Sequence, residues 1–521
     1  MAITDVPATS PETPWRAILA RDPFDSAALH GLARVLLRHG RRGEAIALLC
    51  TAGDDPAVLA DLATQLAETG QRQEAADTVR RALAAEPADP ALLGALGRTL
   101  LLLDQPLDAL SILRRAHLAA SDDRDIATNL AAALIGAGNQ AYRSGAMVEA
   151  EATYRDAIAL NPASGPAYSN LGNALTGQLR LEQAQEAFRA ALRLDPANDE
   201  TAFAFSLCLL LAGEHAEGRR LYERRRGVPA LAPNYTRRPD LPRWKPGIPL
   251  RGRRVLLGAE QGMGDMIQYC RFAPTLGRMA DAVMLEAPWP LAGLLAGMPG
   301  VDRVIGLEDA ASGCDIMCPL LSLPLALALA PGLVPGLAPD PVLEAGAAPP
   351  YLTAPAARVA RWSAWLDRSS PGRRVGLVCS GDPGHPRDHA RSIPLKAFHD
   401  LLDLPGISFV LVQTELRAAD RVTFEAAANL RFPGAALTDY ADTAGLLAGL
   451  DLLISVDTSA AHLAGALGRP VWTLLPYCPD YRWQLGRPDT GWYPSMRLYR
   501  QDRPGEWNNV IARVRDDLAA R

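Results

Sequence analysis

Residues 452–469 read LLISVDTSAAHLAGALGR. Leu452 to Val456 form an apolar run of strand length, and Asp457, Thr458 and Ser459 break it before an Ala/Leu-rich helix that carries His462 in its first turns. A strand that hands over to a helix in this way leaves backbone N–H groups and the positive end of a helix dipole at the carboxyl edge of a sheet. Proteins of α/β class hold phosphate-bearing ligands there. Local readings stay open beside this one. Asp457 and Thr458 could serve only as helix caps, worth about 1 kcal/mol, and His462 could be a satisfied core histidine beside Ala461 and Leu463.

Outward from this stretch, short apolar runs alternate with helical ones. Strands are expected at 255–259, 282–286, 303–307, 315–319, 374–380, 407–413, 452–456 and 471–475. Strand–helix alternation of this kind makes parallel sheets covered on both faces. Two blocks separated near 340–370 predict paired Rossmann-like lobes with a cleft between them. After the first strand comes EQGMGD (260–265), where Gly262 and Gly264 permit a tight turn and Asp265 opens a helix. This is neither G-x-G-x-x-G nor a phosphate loop ending in Lys-Ser/Thr, which argues against dinucleotide and ATP sites. Asp265 reads equally as an N-terminal cap or as a general base for an attacking hydroxyl. In the second block, Ser380 and Gly381 follow a strand and can offer a hydroxyl and N–H groups to phosphate, while Arg391 and Ser392 lie further along the same loop. His385 and His389 read as loop histidines, without zinc-type spacing.

The first part of the chain repeats. Pro162 and Pro196 stand 34 residues apart and close the phrases AEATYRDAIALNP and AQEAFRAALRLDP. Tyr168, Leu171, Gly172, Leu175, Ala184, Phe188, Ala191 and Pro196 occupy the positions of a tetratricopeptide repeat, as do Gly138, Gly145, Ala150, Tyr154, Ala157 and Pro162 before them. Earlier copies carry Gly70 and Gly97, and weaker ones begin near Asp25 and Asn198, for about six in all. The small residues mark where the two helices of a unit cross, and proline stops the second helix. A slip of about seven residues near 124–130 predicts one longer helix there.

Composition sets the outer limits. With 521 residues the chain exceeds a single core, and 49% hydrophobic with 21% charged residues is ordinary globular material. A net charge of -5 without a dense Lys/Arg run argues against nucleic-acid binding. Seven scattered cysteines give no disulfide framework, and Cys314 with Cys318 lacks further ligands for zinc. The N-terminus has no signal-peptide layout. The apolar stretch 318–337 contains Pro319, Pro324, Pro331 and Pro335, which would break a spanning helix. The expectation is a cytoplasmic protein with no membrane insertion. Asp123-Arg124-Asp125 has the spacing of a metal-dependent transferase motif but lies in the repeats, where it reads as a polar helix start.

The second half, about residues 240–515, resembles the heptosyltransferase-like (family 9) glycosyltransferases, in the bacterial branch fused to tetratricopeptide repeats. The resemblance rests on EQGMGD with Ile267, Gln268, Tyr269, Arg271 and Phe272; on CPLLSLP (318–324); and on Ser380–Gly381 with His385 and RSIPL (391–395). SVDTSAAHLAGALGRPVW (455–472) and WYPSMRLYRQ (492–501) complete the set. One departure is Cys379, where relatives usually carry Trp, and it bears on the shape of the donor pocket. The resemblance implies a tetratricopeptide solenoid followed by a GT-B fold of two Rossmann-like lobes. Asp265 then matches the proposed general base, with Gln261, Gly262 and Gly264 on the acceptor-side loop. Ser380, Gly381, Arg391, Asp457, Thr458, Ser459 and His462 fall on the donor side, with Arg391 toward the leaving diphosphate. Beside that diphosphate the anionic Asp457 is expected to cap the helix or contact a hydroxyl, leaving Thr458, Ser459 and the helix N–H groups to phosphate.

The domains expected on this reading are an N-terminal segment 1–25, repeats 26–230, a linker 231–252, an acceptor lobe 253–350 and a donor lobe 351–521 with a C-terminal helix. The expected activity is inverting, metal-independent transfer from a nucleotide sugar to a hydroxyl of a protein held in the repeat groove, with no other cofactor. The resembled branch makes flagellin or another bacterial surface protein a plausible acceptor. The alternatives are transfer to a lipid-linked or free saccharide, and a repeat scaffold with an inactive transferase half.

Overall fold

A computed structural model describes residues 10–245, 248–328 and 348–520. The first nine residues of the N-terminal segment, Pro246 and Gly247 of the linker, and the stretch 329–347 with Pro331 and Pro335 lie outside the described residues. The chain divides into two compact units, one up to Ala197 and one from Asn198.

The first unit is built of helix pairs. Ser26–Arg38 is followed by Arg42–Thr51, Pro56–Glu68 by Arg72–Ala84, and Pro90–Leu102 by Pro106–Ala119. Arg124–Arg143 is followed by Met147–Leu160, and Gly165–Gly177 by Leu181–Leu194. The leading helix of each pair starts at a side-chain cap, in turn Asp25, Asp55, Asp89, Asp123 and Ser164, whose oxygens accept first-turn N–H groups. The helix expected to be longer is Arg124–Arg143, at 20 residues. Asp123 accepts the N–H groups of Asp125 and Ile126, so Asp123-Arg124-Asp125 is a helix start.

The small residues sit where the pairs cross. A Cβ on Gly97 would lie 2.4 Å from Leu113, one on Gly138 2.5 Å from Tyr154, and one on Gly172 2.8 Å from the Phe188 ring. Phe188 is fully buried and has no room to retreat. Gly172→Ala is therefore expected to destabilise this unit by about 1–3 kcal/mol, the usual cost of overpacking, despite the gain in helix propensity. A thermal melt of the variant that matched the wild type would show that the crossing can relax.

The second unit opens with another helix pair, Asp199–Leu211 and His215–Tyr222, and a 3-10 turn Glu223–Gly227. This pair is the weak copy that begins near Asn198, and its contacts place it with the sheets that follow. The first sheet contains β1 (Arg254–Gly258), β2 (Ala282–Glu286), β3 (Arg303–Ile305) and β4 (Ile316–Pro319). Its order is β3-β2-β1-β4, all parallel, with Val255 opposite both Val283 and Ile316. The second sheet contains β5 (Arg373–Val378), β6 (Ile407–Leu411), β7 (Leu430–Arg431), β8 (Leu452–Val456), β9 (Val471–Leu475) and β10 (Met496–Arg500).

This second sheet runs β10-β9-β8-β5-β6-β7 and is also wholly parallel. The chain builds outward from β5 through β6 to β7, then crosses back to place β8 on the other side of β5. Loops leaving β5 and β8 at their carboxyl ends therefore diverge, which opens a crevice at that point of the sheet. The described strands include β7 and β10, which the sequence reading did not anticipate. β7 has only two residues, and β10 is an edge strand whose MRLYR mixes arginine with apolar side chains.

Candidate functional site

A cleft of about 1350 Å³ lies at the carboxyl ends of β1, β5 and β8. All the site residues expected from the sequence line it except Gln261. Gln261 stands behind the loop, with a left-handed φ of 48° and its amide Nε2 donating to Tyr222 Oη at 3.2 Å.

Asp265 lies in the first turn of the helix Met263–Tyr269, directly after β1. Its Oδ2 accepts the Gly262 N–H at 3.1 Å, so it does cap its helix, and its Oδ1 accepts from Arg482 Nη2 at 2.6 Å. Gly264 permits the approach of the other side of the cleft: a Cβ there would lie 3.0 Å from His462 Cδ2. The first turns of the helices after β1 and β8 thus come together.

At the end of β8, Asp457 does not cap the helix Ser459–Ala466, which removes the first of its two expected roles, cap or contact to a hydroxyl. Its Oδ2 accepts from Trp483 Nε1 at 2.8 Å, and burial, assisted by the nearby Asp480, pushes its carboxyl above the ordinary range. Thr458 occupies the N-cap position but makes no cap hydrogen bond, because its hydroxyl is 3.1 Å from Ser455 Oγ instead. Ser459 Oγ accepts from Tyr440 Oη at 2.7 Å. The helix start is therefore free of side-chain caps and faces the cleft with its N–H groups and dipole. His462 is buried, which together with the Arg482 charge holds its pKa well below the usual value, so the imidazole is neutral. Its Nδ1 is 3.0 Å from Tyr493 Oη, and its ring stacks on Trp483 at 5.1 Å.

On the loop after β5, Gln413 Nε2 donates to Ser380 Oγ at 3.1 Å, and the Gly381 N–H donates to Ser392 Oγ at 3.0 Å. A Cβ on Gly381 would lie 2.5 Å from Arg391 Nη2, so the guanidinium crosses directly over this glycine. Arg391 Nη1 donates to the Asp457 carbonyl at 2.9 Å, while its Nε is buried with no hydrogen-bond partner among the described residues. Buried donors are rarely left open. Arg391 and the uncapped helix start together can receive an anion, whereas the Gly381 N–H, expected to face phosphate, is taken by Ser392 Oγ. His385 lines the cleft and accepts the Arg387 N–H at 3.1 Å, whereas His389 is exposed and away from it. Among the described residues no group of three or more His, Cys, Asp or Glu side chains is placed to hold a metal ion.

Several residues here were missed from the sequence. Arg482 and Trp483 touch the cleft carboxylates of Asp265 and Asp457, and Arg417 donates to Asp388 Oδ2 at 2.5 Å, bracing the Arg391 loop. The available signal was the run DYRW (480–483), an arginine between two aromatics after an acidic residue. Such composition suits a packed polar anchor better than a surface turn.

Residues 165–198 match the tetratricopeptide repeat family. The chain contains tetratricopeptide repeats. Over 519 residues it is 26% identical to Protein FlbA of Caulobacter vibrioides, covering 87% of this chain and 82% of that protein. Among solved structures it is similar to YrrB, described as a TPR protein with an unusual peptide-binding site, at 20% identity and a TM-score of 0.32, covering 37% of this chain and 98% of that one. A structure of MamA matches at 20% identity and a TM-score of 0.28, covering 32% of this chain and 88% of that one. No helix among the described residues is long and apolar enough to cross a membrane.

Proposed function

We propose that the chain is a cytoplasmic glycosyltransferase of GT-B architecture that moves a sugar from a nucleotide-sugar donor to a hydroxyl of a protein, with inversion and without a metal. The observation that carries this reading is the cleft itself. A carboxylate from one parallel sheet, Asp265, and an uncapped helix start with Arg391 from the other line the same space. In the reaction, Asp265 takes the proton of the acceptor hydroxyl as its oxygen bonds to the anomeric carbon. The bond from that carbon to the diphosphate oxygen breaks, and the nucleoside diphosphate leaves with the electron pair. Arg391 and the N–H groups of the helix Ser459–Ala466 stabilise the charge that develops on the leaving group. Tetratricopeptide arrays commonly present a groove to a protein partner, and here they hold the acceptor.

The test is a thermal-shift panel of nucleotide sugars and nucleoside diphosphates on the full chain, followed by transfer from the best labelled donor into cell lysate. Label on a protein band, undiminished by EDTA, is expected. Label found only in glycolipid would move the acceptor class to saccharides, and manganese-dependent transfer would overturn the metal-free mechanism. Failure of every nucleotide to bind would leave a repeat scaffold.

A further inference from the structure

The 3-10 turn Tyr481–Trp483 sends each of its three side chains to a different partner, and Arg482 itself lines the cleft. Tyr481 Oη lies 2.9 Å from Tyr269 Oη. Arg482 Nη2 donates to Asp265 Oδ1 at 2.6 Å, and Trp483 Nε1 donates to Asp457 Oδ2 at 2.8 Å. The turn is itself fixed by Asp480, whose Oδ1 accepts the Arg482 N–H at 3.0 Å and lies 3.2 Å from Arg482 Nε. Asp265 follows β1 and Asp457 follows β8, so one turn ties a carboxylate from each sheet.

A buried ion pair alone is weak evidence of anything beyond packing. The arrangement says more, because both oxygens of Asp265 are engaged, Oδ1 by Arg482 and Oδ2 by the Gly262 N–H. A carboxylate oxygen has two lone pairs, so each still has one to accept a proton or hydrogen bond while the group as a whole cannot rotate. Trp483 is fully buried and stacked on His462, and it holds Asp457 by one oxygen, Oδ2, while Oδ1 lies 4.0 Å from His462 Nε2. Proton abstraction requires hydrogen-bond reach, and misplacement by about 1 Å can cost about 10²-fold.

We propose that Arg482 and Trp483 are positioning residues whose shared turn holds the acceptor-side carboxylate of Asp265 in register with the donor-side carboxylate of Asp457. The proposal rests on Asp265 being the base. It assigns Arg482 to the chemical step through Asp265 and Trp483 to the donor through Asp457.

The experiment is steady-state kinetics of the full chain, reading nucleoside diphosphate release from the nucleotide sugar that the panel selects, with lysate protein as acceptor. Arg482→Gln is expected to lower kcat by about 10²-fold at unchanged donor KM, with Arg482→Lys intermediate. The double variant Asp265→Asn with Arg482→Gln should be no slower than Asp265→Asn alone, since residues that act as one unit do not contribute independently. Trp483→Phe keeps a ring against His462 but loses the bond to Asp457, and should raise donor KM more than it lowers kcat. Losses that multiply in the double variant, or wild-type kcat in Arg482→Gln, would overturn the proposal. Should Arg482→Gln fail to fold, Arg482→Lys decides, with unchanged kcat counting against it. Wild-type turnover in Asp265→Asn, or no turnover by the wild type, would instead remove the base reading on which the proposal stands.

Discussion

Asp265→Asn is expected to lower turnover by about 10²–10⁴, the range for loss of a general base, while the melting-temperature rise caused by nucleoside diphosphate stays intact. The substitution is a narrow one. Asparagine keeps the size of the side chain, and its single oxygen can accept from Arg482 Nη2 or from the Gly262 N–H, so one of the two bonds that hold Asp265 is kept and the other is lost. It also loses the capacity to take a proton from a hydroxyl. The competing role is the helix cap, and Asp265 does reach back to the N-cap residue Gly262 as half of a capping box. A cap role predicts a loss of stability of about 1 kcal/mol and no change in rate. Turnover within the wild-type range would therefore return Asp265 to its cap and leave the cleft without a base from β1. Mass-spectrometric detection of the labelled acceptor, run beside the melting curves, separates the two outcomes in one preparation.

What the sequence could reveal depended on how local the cause was. β8 spans Leu452–Val456 as expected because five consecutive apolar residues ended by Asp457 leave little choice of structure. The repeat crossings at Gly97, Gly138 and Gly172 were legible because each small residue is followed after sixteen positions by the large one it meets. Asp265, Ser380, Gly381, Asp457, Thr458 and Ser459 were legible because they lie within a few residues of a strand end, where α/β sheets place their ligands. The bond from Arg482 to Asp265 joins residues 217 apart, and nothing in either neighbourhood names the other. The same distance effect separates the two roles expected for Asp457: an acidic residue just before a helix can cap it or contact a hydroxyl, and the cap is not made because Trp483, 26 residues on, donates to its Oδ2. β10 was hidden by its edge position, where Arg497 and Arg500 interrupt the apolar pattern.

Arg225 gives the largest stability effect expected in the second unit. In the sequence it is the middle residue of the run Arg224–Arg226, and in the structure it is fully buried. Its Nε and Nη2 each lie 3.0 Å from an oxygen of Glu260, itself buried beside β1, and its Nη2 also donates to Ser322 Oγ at 2.8 Å. Burial works against the guanidinium charge, but Glu260 and Glu223 outweigh it and hold the proton well above the ordinary arginine value. Glu260 accepts further from Tyr235 Oη and from the Leu321 N–H. Arg225→Met would leave that carboxylate buried with hydrogen bonds but no cation, which costs about 3–5 kcal/mol. Adding Glu260→Gln removes the stranded charge and should recover most of the loss, because exchanging a whole buried pair is often close to neutral. The neighbour Arg224 is partly exposed and pairs with Asp199, so Arg224→Met should cost no more than about 1 kcal/mol. Calorimetry of the full-length variants checks the series, and an Arg225→Met melt that overlays the wild type would contradict it. The same pairing sets where the chain can be cut. A fragment beginning at residue 231 discards Arg225 together with Tyr222, the partner of Gln261, and is expected to remain unfolded by circular dichroism. One beginning at 198 keeps both and should melt cooperatively, which would make the last helix pair a structural part of the unit that carries the cleft.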